Sequence, residues 1–227
     1  MCGRKRGSMA ELNWKEYFNN KAKTHKGSVM TSDYYNEKSF YIQRENILGW
    51  LGVQKGKVIL DGGCGVGAFS ENLAKENEVH GIDFSEESLE YASKRGINTH
   101  FGNLTSVPFE DGKFDVCYSI GVIQYIHDYK NALKELARVV KPGGTLLIET
   151  LNEESLQRKA YCLFNKGKDF DLMFSKKQLS DVFVELGFKD IEFLTLYQPF
   201  YFKTTEKAPG FFDRRFGITF AIKGIKM

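Results

Sequence analysis

Short apolar runs along this chain alternate with longer segments whose apolar residues are spaced three or four apart. Runs of the first kind are typical of buried strands, and segments of the second kind are typical of helices. Strands are predicted over residues 57–60, 79–82, 98–101, 114–120 and 145–148, and helices over 68–75, 86–95 and 129–140. Strands that alternate with helices at this spacing indicate βαβ units, and therefore an α/β fold with a parallel sheet.

The two ends of the chain depart from this alternation. Helices are predicted over 14–23, 32–50 and 176–186, and two late strands over 191–196 and 218–225. Because a loop joins the late strands, we expect them to form an antiparallel hairpin at the sheet edge. The segment 197–216 between them is rich in aromatic residues, which predicts either a lid over a binding site or packing against the N-terminal helix and the sheet edge.

The turn after the first predicted strand is Asp61-Gly62-Gly63-Cys64-Gly65, and a strand, a glycine-rich turn and a helix together bind nucleotide-like ligands. Gly63 and Gly65 let the backbone approach such a ligand closely. Asp61 would repel a pyrophosphate but can accept a hydrogen bond from the ammonium group of an amino acid. Asp83 follows the second strand, and both of its oxygens are expected to be free to accept from a ribose diol.

The composition narrows the class of protein. The 227 residues suffice for one α/β domain, and the basic and acidic residues balance once Arg4, Lys5 and Arg6 are set aside. A neutral body argues against nucleic acid or an anionic membrane as partner. The cysteines show no disulfide framework, and no segment has the length and hydrophobicity of a membrane span, so we expect a cytoplasmic protein.

Four blocks of sequence, in order and correctly spaced, resemble the class I S-adenosylmethionine-dependent methyltransferases. They are residues 58–67, 79–85, 102–116 and 136–146. The chain is most similar to the small-molecule branch that includes the ubiquinone and menaquinone methyltransferases. This resemblance implies a Rossmann-like α/β fold with a seven-stranded, mostly parallel sheet, an antiparallel last strand and helices on both faces. It also implies S-adenosyl-L-methionine as methyl donor, S-adenosyl-L-homocysteine as product, and a small or lipid-like acceptor methylated on oxygen, nitrogen or carbon.

The resemblance implies a domain division and further donor-binding residues. We expect an expression tag over 1–9, a helical lead and substrate cap over 10–50, and the methyltransferase domain over 51–227. Beside Asp61, Gly63, Gly65 and Asp83, the expected donor-binding residues are Phe84 on the adenine, Asn103 at its amino edge, the Leu104 backbone, Ser119 and Ile120 near the methionine portion, and Arg44 on the carboxylate. Several of these residues could instead have a purely structural role. Asp61 could cap the following turn, Asp83 and Asn103 could be turn residues, Phe84 could be a core residue, and Arg44 could lie on a solvated helix face.

Catalytic residues are harder to predict, because an electrophilic methyl group needs a base only when the acceptor is protonated. His127 and Tyr125, which follow the fourth strand, are the candidates, and no metal ligand is expected. The preferred alternative for His127 is a surface histidine that leads the next helix. Tyr34 and Tyr35 could line the substrate mouth or pack against the N-terminal helix.

Three other functions compete with methyl transfer to a small molecule. The spacing of Gly63, Gly65 and Ala68 also satisfies the dinucleotide fingerprint of NAD-dependent oxidoreductases, although Asp61 and the Lys141-Pro142-Gly143-Gly144 turn oppose that interpretation. An RNA or protein methyltransferase is the second alternative, and RNA enzymes usually carry basic patches or an added binding domain, which this chain lacks. A non-catalytic module that retains the pocket is the third alternative. We expect a monomer or homodimer that binds no nucleic acid.

Overall fold

The computed structural model describes residues 14–31, 36–53, 55–164, 172–197, 202–206 and 217–227. The helices are α1 (Trp14–Thr24), α2 (Glu37–Leu51), α3 (Glu86–Ser93), α4 (Tyr129–Val139), α5 (Leu156–Phe164) and α6 (Lys176–Glu185). The strands are β1 (Val58–Gly62), β2 (Glu78–Asp83), β3 (Asn98–Phe101), β4 (Phe114–Ile120), β5 (Val140–Leu151), β6 (Phe188–Tyr197), β7 (Phe202–Glu206) and β8 (Thr219–Lys226). Short 3₁₀ turns occupy Val29–Thr31, Leu73–Lys75 and Ile123–Tyr125.

The described strands form one sheet in the order β3–β2–β1–β4–β5–β8–β6–β7. The four pairings from β3 to β5 are parallel, as predicted. The two late strands do pair with each other antiparallel, but β8 lies inside the sheet, between β5 and β6. The edge hairpin is formed by β6 and the additional strand β7, which the sequence did not predict.

Helices cover both faces of the sheet, as expected for this fold class. On one face the core contains Leu133 and Leu136 of α4 with Phe183 of α6, and on the other it contains Phe40 of α2 and Leu89 of α3. Burial of such apolar side chains is the main favourable term in folding. Because the strand order reverses between β1 and β4, the sheet has the switch point at which α/β proteins bind ligands.

The prediction of a helix over residues 68–75 is wrong. The structure has only a 3₁₀ turn in this segment, at Leu73–Lys75. Tertiary contacts compete with helix formation in this segment. Arg44 Nη1 donates to the Ala68 carbonyl at 3.1 Å, and that carbonyl is the acceptor that residue 72 would need in an α-helix. The Ser70 hydroxyl is hydrogen-bonded inward, to Asp61 and Tyr118. The segment therefore forms a compact turn beneath the glycine loop.

The N-terminal helix α1 packs across α3, next to the carboxyl end of β2. Ser85, the N-cap of α3, donates from Oγ to Asn19 Oδ1 at 2.6 Å, and Lys23 pairs with Glu87 at 3.0 Å. These contacts hold α1 over the carboxyl edge of the sheet. Within the described ranges, no helix has the length and apolar character needed to cross a lipid bilayer.

Candidate functional site

A cavity of about 540 Å³ opens at the carboxyl ends of the parallel strands. Its walls come from the glycine loop after β1, the turns after β2, β3 and β4, the end of β5, and α1 and α2. A volume of this size is typical of sites for small organic ligands. Most of the residues predicted for donor binding line this cavity, but two of them do not.

The glycine loop approaches the cavity with left-handed backbone at Gly63 (φ 79°) and Gly65 (φ 51°). A Cβ at Gly63 would lie 2.4 Å from a methyl group of Val122, so this glycine is required by packing. A Cβ at Gly65 would meet nothing within 4 Å, because this glycine faces open space in the cavity. The two glycines that the sequence predicted therefore have different reasons to lack a side chain.

Asp61 is the penultimate residue of β1; its side chain lies in the cavity wall and the residue is only 2 % exposed. Ser70 donates its hydroxyl hydrogen to the Asp61 carboxylate, so the hydroxyl of Tyr118 must be the donor in its own hydrogen bond to Ser70. Burial raises the pKa of Asp61 to about 7, and the nearby Asp83 adds to the shift. A cation bound beside Asp61 would favour its ionised form.

Asp83 ends β2 and holds the glycine loop from the other side. Its Oδ2 accepts from Gly65 N and its Oδ1 from Ser85 N, each at 2.8 Å. The expectation that both oxygens are free is therefore wrong, although each carboxylate oxygen can accept a second hydrogen bond. Burial raises the pKa of Asp83 above its ordinary value, and the backbone donors oppose that shift.

Phe84, Asn103 and Leu104 all line the part of the cavity beyond β2 and β3. The Phe84 ring makes an edge-on contact with Phe18 of α1, with centroids 6.1 Å apart. Asn103 is exposed, and its Oδ1 accepts from Thr105 N at 3.1 Å, which is the geometry of the turn-forming alternative. Leu104 is buried, and its side chain belongs to the core below the cavity.

Two predicted donor-binding residues do not line the cavity. Ser119 is fully buried and donates from Oγ to the Gly62 carbonyl at 2.7 Å, so it ties β4 to β1. Arg44 donates to the Ala68 carbonyl and pairs with Glu45 at 3.0 Å, which places its guanidinium behind the glycine loop. Ile120, the neighbour of Ser119, does line the cavity, as does Gln43 beside Arg44.

Both catalytic candidates lie at the cavity, in the segment after β4. The Tyr125 ring packs against Trp14 and Phe18 of α1, with centroid distances of 4.6 and 5.6 Å. His127 is exposed at the cavity mouth, immediately before the Asp128 cap of α4. Its position fits the preferred alternative of a surface histidine that leads a helix. Tyr34, Tyr35 and most of the aromatic segment 197–216 lie outside the described residues.

Glu149 is a cavity residue that the sequence interpretation missed. It lies near the carboxyl end of β5, is only 3 % exposed, and accepts from Gln43 Nε2 at 3.1 Å. Burial raises its pKa to about 7. The signal was present in the sequence, because Glu149 ends the apolar run Leu146-Leu147-Ile148 just as Asp61 ends Val58-Ile59-Leu60. Among the described residues, no cluster of three acidic, histidine or cysteine side chains is arranged to hold a metal ion.

Comparison with known proteins gives matches by sequence. A family model described as a methyltransferase domain matches residues 60–148. A demethylmenaquinone methyltransferase of Staphylococcus epidermidis is 33% identical over 182 residues, which cover 66% of this chain and 75% of that protein. A malonyl-[acyl-carrier protein] O-methyltransferase of Serratia marcescens is 37% identical over 116 residues, 50% of this chain and 46% of the relative. The chain thus spans about half the length of one relative and three quarters of the other.

Solved structures match over nearly the whole chain. One, from Thermotoga maritima, is described as an SAM-dependent methyltransferase and possible histamine N-methyltransferase. It is 23% identical in sequence, and the match covers 93% of this chain and 99% of the Thermotoga chain with a TM-score of 0.71. Magnesium protoporphyrin IX methyltransferase of Synechocystis with bound SAH is 16% identical, covers 94% and 98%, and has a TM-score of 0.70. At these identities the likeness shows a shared fold.

Proposed function

We propose that this chain, which belongs to the S-adenosylmethionine-dependent methyltransferases, transfers a methyl group from S-adenosylmethionine to a small-molecule acceptor. The observation that carries the proposal is the buried carboxyl group of Asp61 beside the glycine loop. A carboxylate at this position opposes a diphosphate and favours a ligand whose amino acid end is cationic.

The residues of the cavity fit the donor. Gly65 leaves open space where a side chain would otherwise project, and Asp61 is an acceptor for an ammonium group. Asp83 retains acceptor capacity for a ribose diol after its two backbone hydrogen bonds. Phe84 provides an aromatic surface for the adenine in the same wall.

The bound donor supplies an electrophilic methyl group on a positively charged sulfur. The protein's task is then to orient two reactants and to keep water away from them. The glycine loop, with Asp61 and Asp83, orients one reactant. The apolar side chains of Ile120 and Val122, at the end of β4 and in the turn after it, line the cavity and exclude water. The acceptor enters the remaining part, between α1 and the carboxyl end of β5.

We also propose the finer points that follow from this function. Residues 10–50 would act as a substrate cap, which is supported by Trp14, Phe18 and Gln43 in the cavity wall. The protein would act in the cytoplasm as a monomer or homodimer; the buried free thiols of Cys64 and Cys117 support a reducing compartment. The names of the relatives, a quinone-precursor methyltransferase and an acyl-carrier-protein methyltransferase, support small or carrier-bound acceptors.

Calorimetry separates this function from its main competitor. S-adenosylmethionine and S-adenosylhomocysteine are titrated into the protein beside NAD and NADP at the same concentrations. We expect the two sulfur ligands to bind and the two dinucleotides to give no heat of binding, because Asp61 lies where a pyrophosphate would sit. Binding of NAD in the absence of S-adenosylmethionine binding would refute the proposal and favour an oxidoreductase.

A further inference from the structure

The cavity extends past the region that the donor-binding residues surround. Asp61, Asp83 and Asn103 lie at the ends of β1, β2 and β3, whereas a second group of lining residues lies around β5 and β8. We call this group the acceptor section; it consists of Gln43, Glu149, Leu151, Arg158, Ile218 and Thr219. β1 and β5 are separated by one strand, and the register places Glu149 two residues beyond the position level with Asp61, so the backbones of the two acids are roughly 12 Å apart.

Glu149 is the buried acid of the acceptor section. Its strand is in register with β4 so that Glu149 pairs with Ile120, which also lines the cavity. Gln43 donates to Oε1, while Oε2 faces Gly121, where a Cβ would lie 3.7 Å from it. The Thr219 side chain and the Gly121 backbone also hydrogen-bond the carboxyl group. A carboxylate can accept about four hydrogen bonds, so capacity for one ligand donor remains. The missing side chain at Gly121 leaves room for a ligand group beside Oε2.

The charge of the cavity restricts which acceptor can use that room. Its lining side chains include the carboxyl groups of Asp61, Asp83, Asp128 and Glu149, against the single guanidinium of Arg158 among the described residues. An acceptor with a carboxylate, or one that develops a phenolate, would place negative charge next to Glu149. An acceptor that arrives as a cation would instead be attracted, and the aromatic wall of Trp14, Phe18 and Tyr125 also favours a cation.

We infer that Glu149 receives the amino group of a small amine, and hence that the methylated atom is nitrogen; this inference rests on the proposed methyl transfer. The ammonium form of the amine gives one proton to Glu149 and becomes a neutral amine. Its nitrogen lone pair forms the bond to the methyl carbon while the carbon–sulfur bond breaks and leaves its electron pair on sulfur. The products are a methylated ammonium ion and a neutral thioether, and the proton on Glu149 leaves to solvent.

Proton transfer also favours an amine over an alcohol. An alkylammonium group has a pKa of about 10, within a few units of a buried carboxyl group, whereas a hydroxyl with a pKa like that of water, about 16, is far less acidic. Burial raises the pKa of Glu149 to about 7, which suits a group that takes up and releases a proton near neutral pH. The other titratable groups that line the cavity are Asp61 on β1, Cys64 in the glycine loop, Asp83 on β2, Tyr125, His127 and Asp128 after β4, and Arg158 on α5.

The test uses matched probes and does not depend on turnover. The protein is saturated with S-adenosylhomocysteine at pH 8 and titrated calorimetrically with 2-phenylethylamine, 2-phenylethanol and 3-phenylpropanoate, and then with the corresponding butyl series. We expect the amines to bind about tenfold more tightly than the alcohols, and the carboxylates not to bind, because only the amine forms a charged hydrogen bond with Glu149.

Glu149→Gln is the diagnostic variant, because it keeps the shape and a hydrogen-bond partner for Gln43. We expect about tenfold weaker amine binding, little change for the alcohols, and an unchanged affinity for S-adenosylhomocysteine. Amine affinity should rise between pH 6 and pH 8 in the native protein and stay flat in Glu149→Gln. Glu149→Asp should restore part of the amine preference. Glu153→Gln removes an exposed carboxylate that follows β5 but does not line the cavity, and it should behave like the native protein.

The outcomes separate this inference from the proposed function. If S-adenosylhomocysteine binds but the amines do not, or bind equally well to Glu149→Gln, the assignment of Glu149 is wrong while methyl transfer stands. If S-adenosylhomocysteine itself does not bind to the native protein, the proposed function fails, and this inference fails with it.

Discussion

Asp61 occupies a position that is unfavourable for the folded protein in the absence of a ligand. Its pKa rises from 3.8 in a solvated chain to about 7 in the fold, chiefly through burial. Above pH 7 the folded protein therefore holds a buried negative charge that the unfolded chain holds in water. A shift of this size corresponds to a free-energy penalty of about 4 kcal/mol, reduced by any relaxation of the site. Such a cost is typical of residues kept for binding.

Asp61→Asn should therefore separate binding from stability. We expect the affinity for S-adenosylmethionine to fall about 10- to 100-fold, because a charge-assisted hydrogen bond is lost. The thermal midpoint at pH 8 should rise, since asparagine cannot ionise, and the difference from the native protein should shrink at pH 5. Calorimetry and thermal melts at the two pH values check both parts. An unchanged affinity would remove the basis of the proposed function.

Tyr118→Phe tests the hydrogen-bond chain from Tyr118 through Ser70 to Asp61. The variant leaves the buried Ser70 oxygen without its donor, so we expect a loss of about 1 kcal/mol in the free energy of unfolding. Donor affinity should fall less than in Asp61→Asn, because Ser70 can still donate to the carboxylate. Urea denaturation measures the effect. Tyr91→Phe is the control, since the Tyr91 hydroxyl has no hydrogen bond to a described residue, and an equal loss in both variants would contradict the chain.

At this scale the sequence predicts a residue well when its own position on a strand determines its role. Asp61 and Asp83 were found because each ends an apolar run, and parallel strands bring such ends to one edge of the sheet. Arg44 and Ser119 were assigned to the donor, but each side chain binds a backbone carbonyl that only the folded chain brings near. Glu149 was missed, although it ends an apolar run just as Asp61 does. The same rule that identified Asp61 could have identified it from the sequence alone.

At the scale of elements, the glycine loop is built from glycines that are required for different reasons. Gly65→Ala should cost about 1–2 kcal/mol of stability for the left-handed backbone and should strongly weaken donor binding, since the new methyl group projects into open cavity. Gly63→Ala should be less stable still, because its Cβ would overlap Val122.

Gly143→Ala is the matched control for the glycine loop. Gly143 has a φ of 76° and nothing within 4 Å of a Cβ, but it lies in β5 away from the lining of the cavity. It should show the stability cost of Gly65→Ala with donor affinity unchanged. Thermal melts and calorimetry on the three variants make the comparison. Equal donor affinity in the Gly65 and Gly143 variants would mean that no ligand approaches Gly65.

The accuracy of the element predictions follows from where the stabilising contacts lie. The strands β1, β2, β4 and β5 were predicted because strands buried in a sheet are largely apolar, whereas the short edge strand β3 is partly exposed. The segment 68–75 has helical spacing, but long-range bonds to Arg44, Asp61 and Tyr118 prevent the helix. The edge strand β7 has the sequence Phe-Lys-Thr-Thr-Glu, whose weak hydrophobic pattern gave no strand signal. The place of β8 inside the sheet is set by pairing across the fold, which local patterns do not specify.

For the whole molecule, the buried acids predict an unusual dependence of stability on pH. Asp61 and Glu149 both have folded pKa values of about 7, above 3.8 and 4.5 in the unfolded chain. Between these values the folded state binds more protons than the unfolded state, so stability falls as pH rises. The lowered pKa values of Asp115 and Glu135 make stability increase with pH, but this contribution is complete by about pH 5. The lowered pKa of His100 acts in the same direction, and its contribution is small because the side chain is partly exposed to solvent.

We therefore expect the thermal midpoint of the ligand-free protein to decrease from about pH 5 to pH 8. Asp61→Asn combined with Glu149→Gln should make this decline much shallower, because only the raised pKa of Asp83 then acts in the same direction. Thermal melts in buffers of constant ionic strength check the effect. A native protein that becomes more stable between pH 5 and pH 8 would show that neither carboxyl group is buried as described.

Donor binding must also change the protonation of Asp61, because binding and protonation of the same site are thermodynamically linked. S-adenosylmethionine brings an ammonium group to Asp61, which lowers the pKa of that carboxyl group, so near pH 6.5 binding must release part of a proton. The apparent enthalpy of binding should then differ between phosphate and Tris buffers by the ionisation heat of the released proton. The difference should vanish in Asp61→Asn and persist in Glu149→Gln. If it vanished in Glu149→Gln instead, the cationic end of the donor would lie over β5, and the donor and acceptor sections would have to be exchanged.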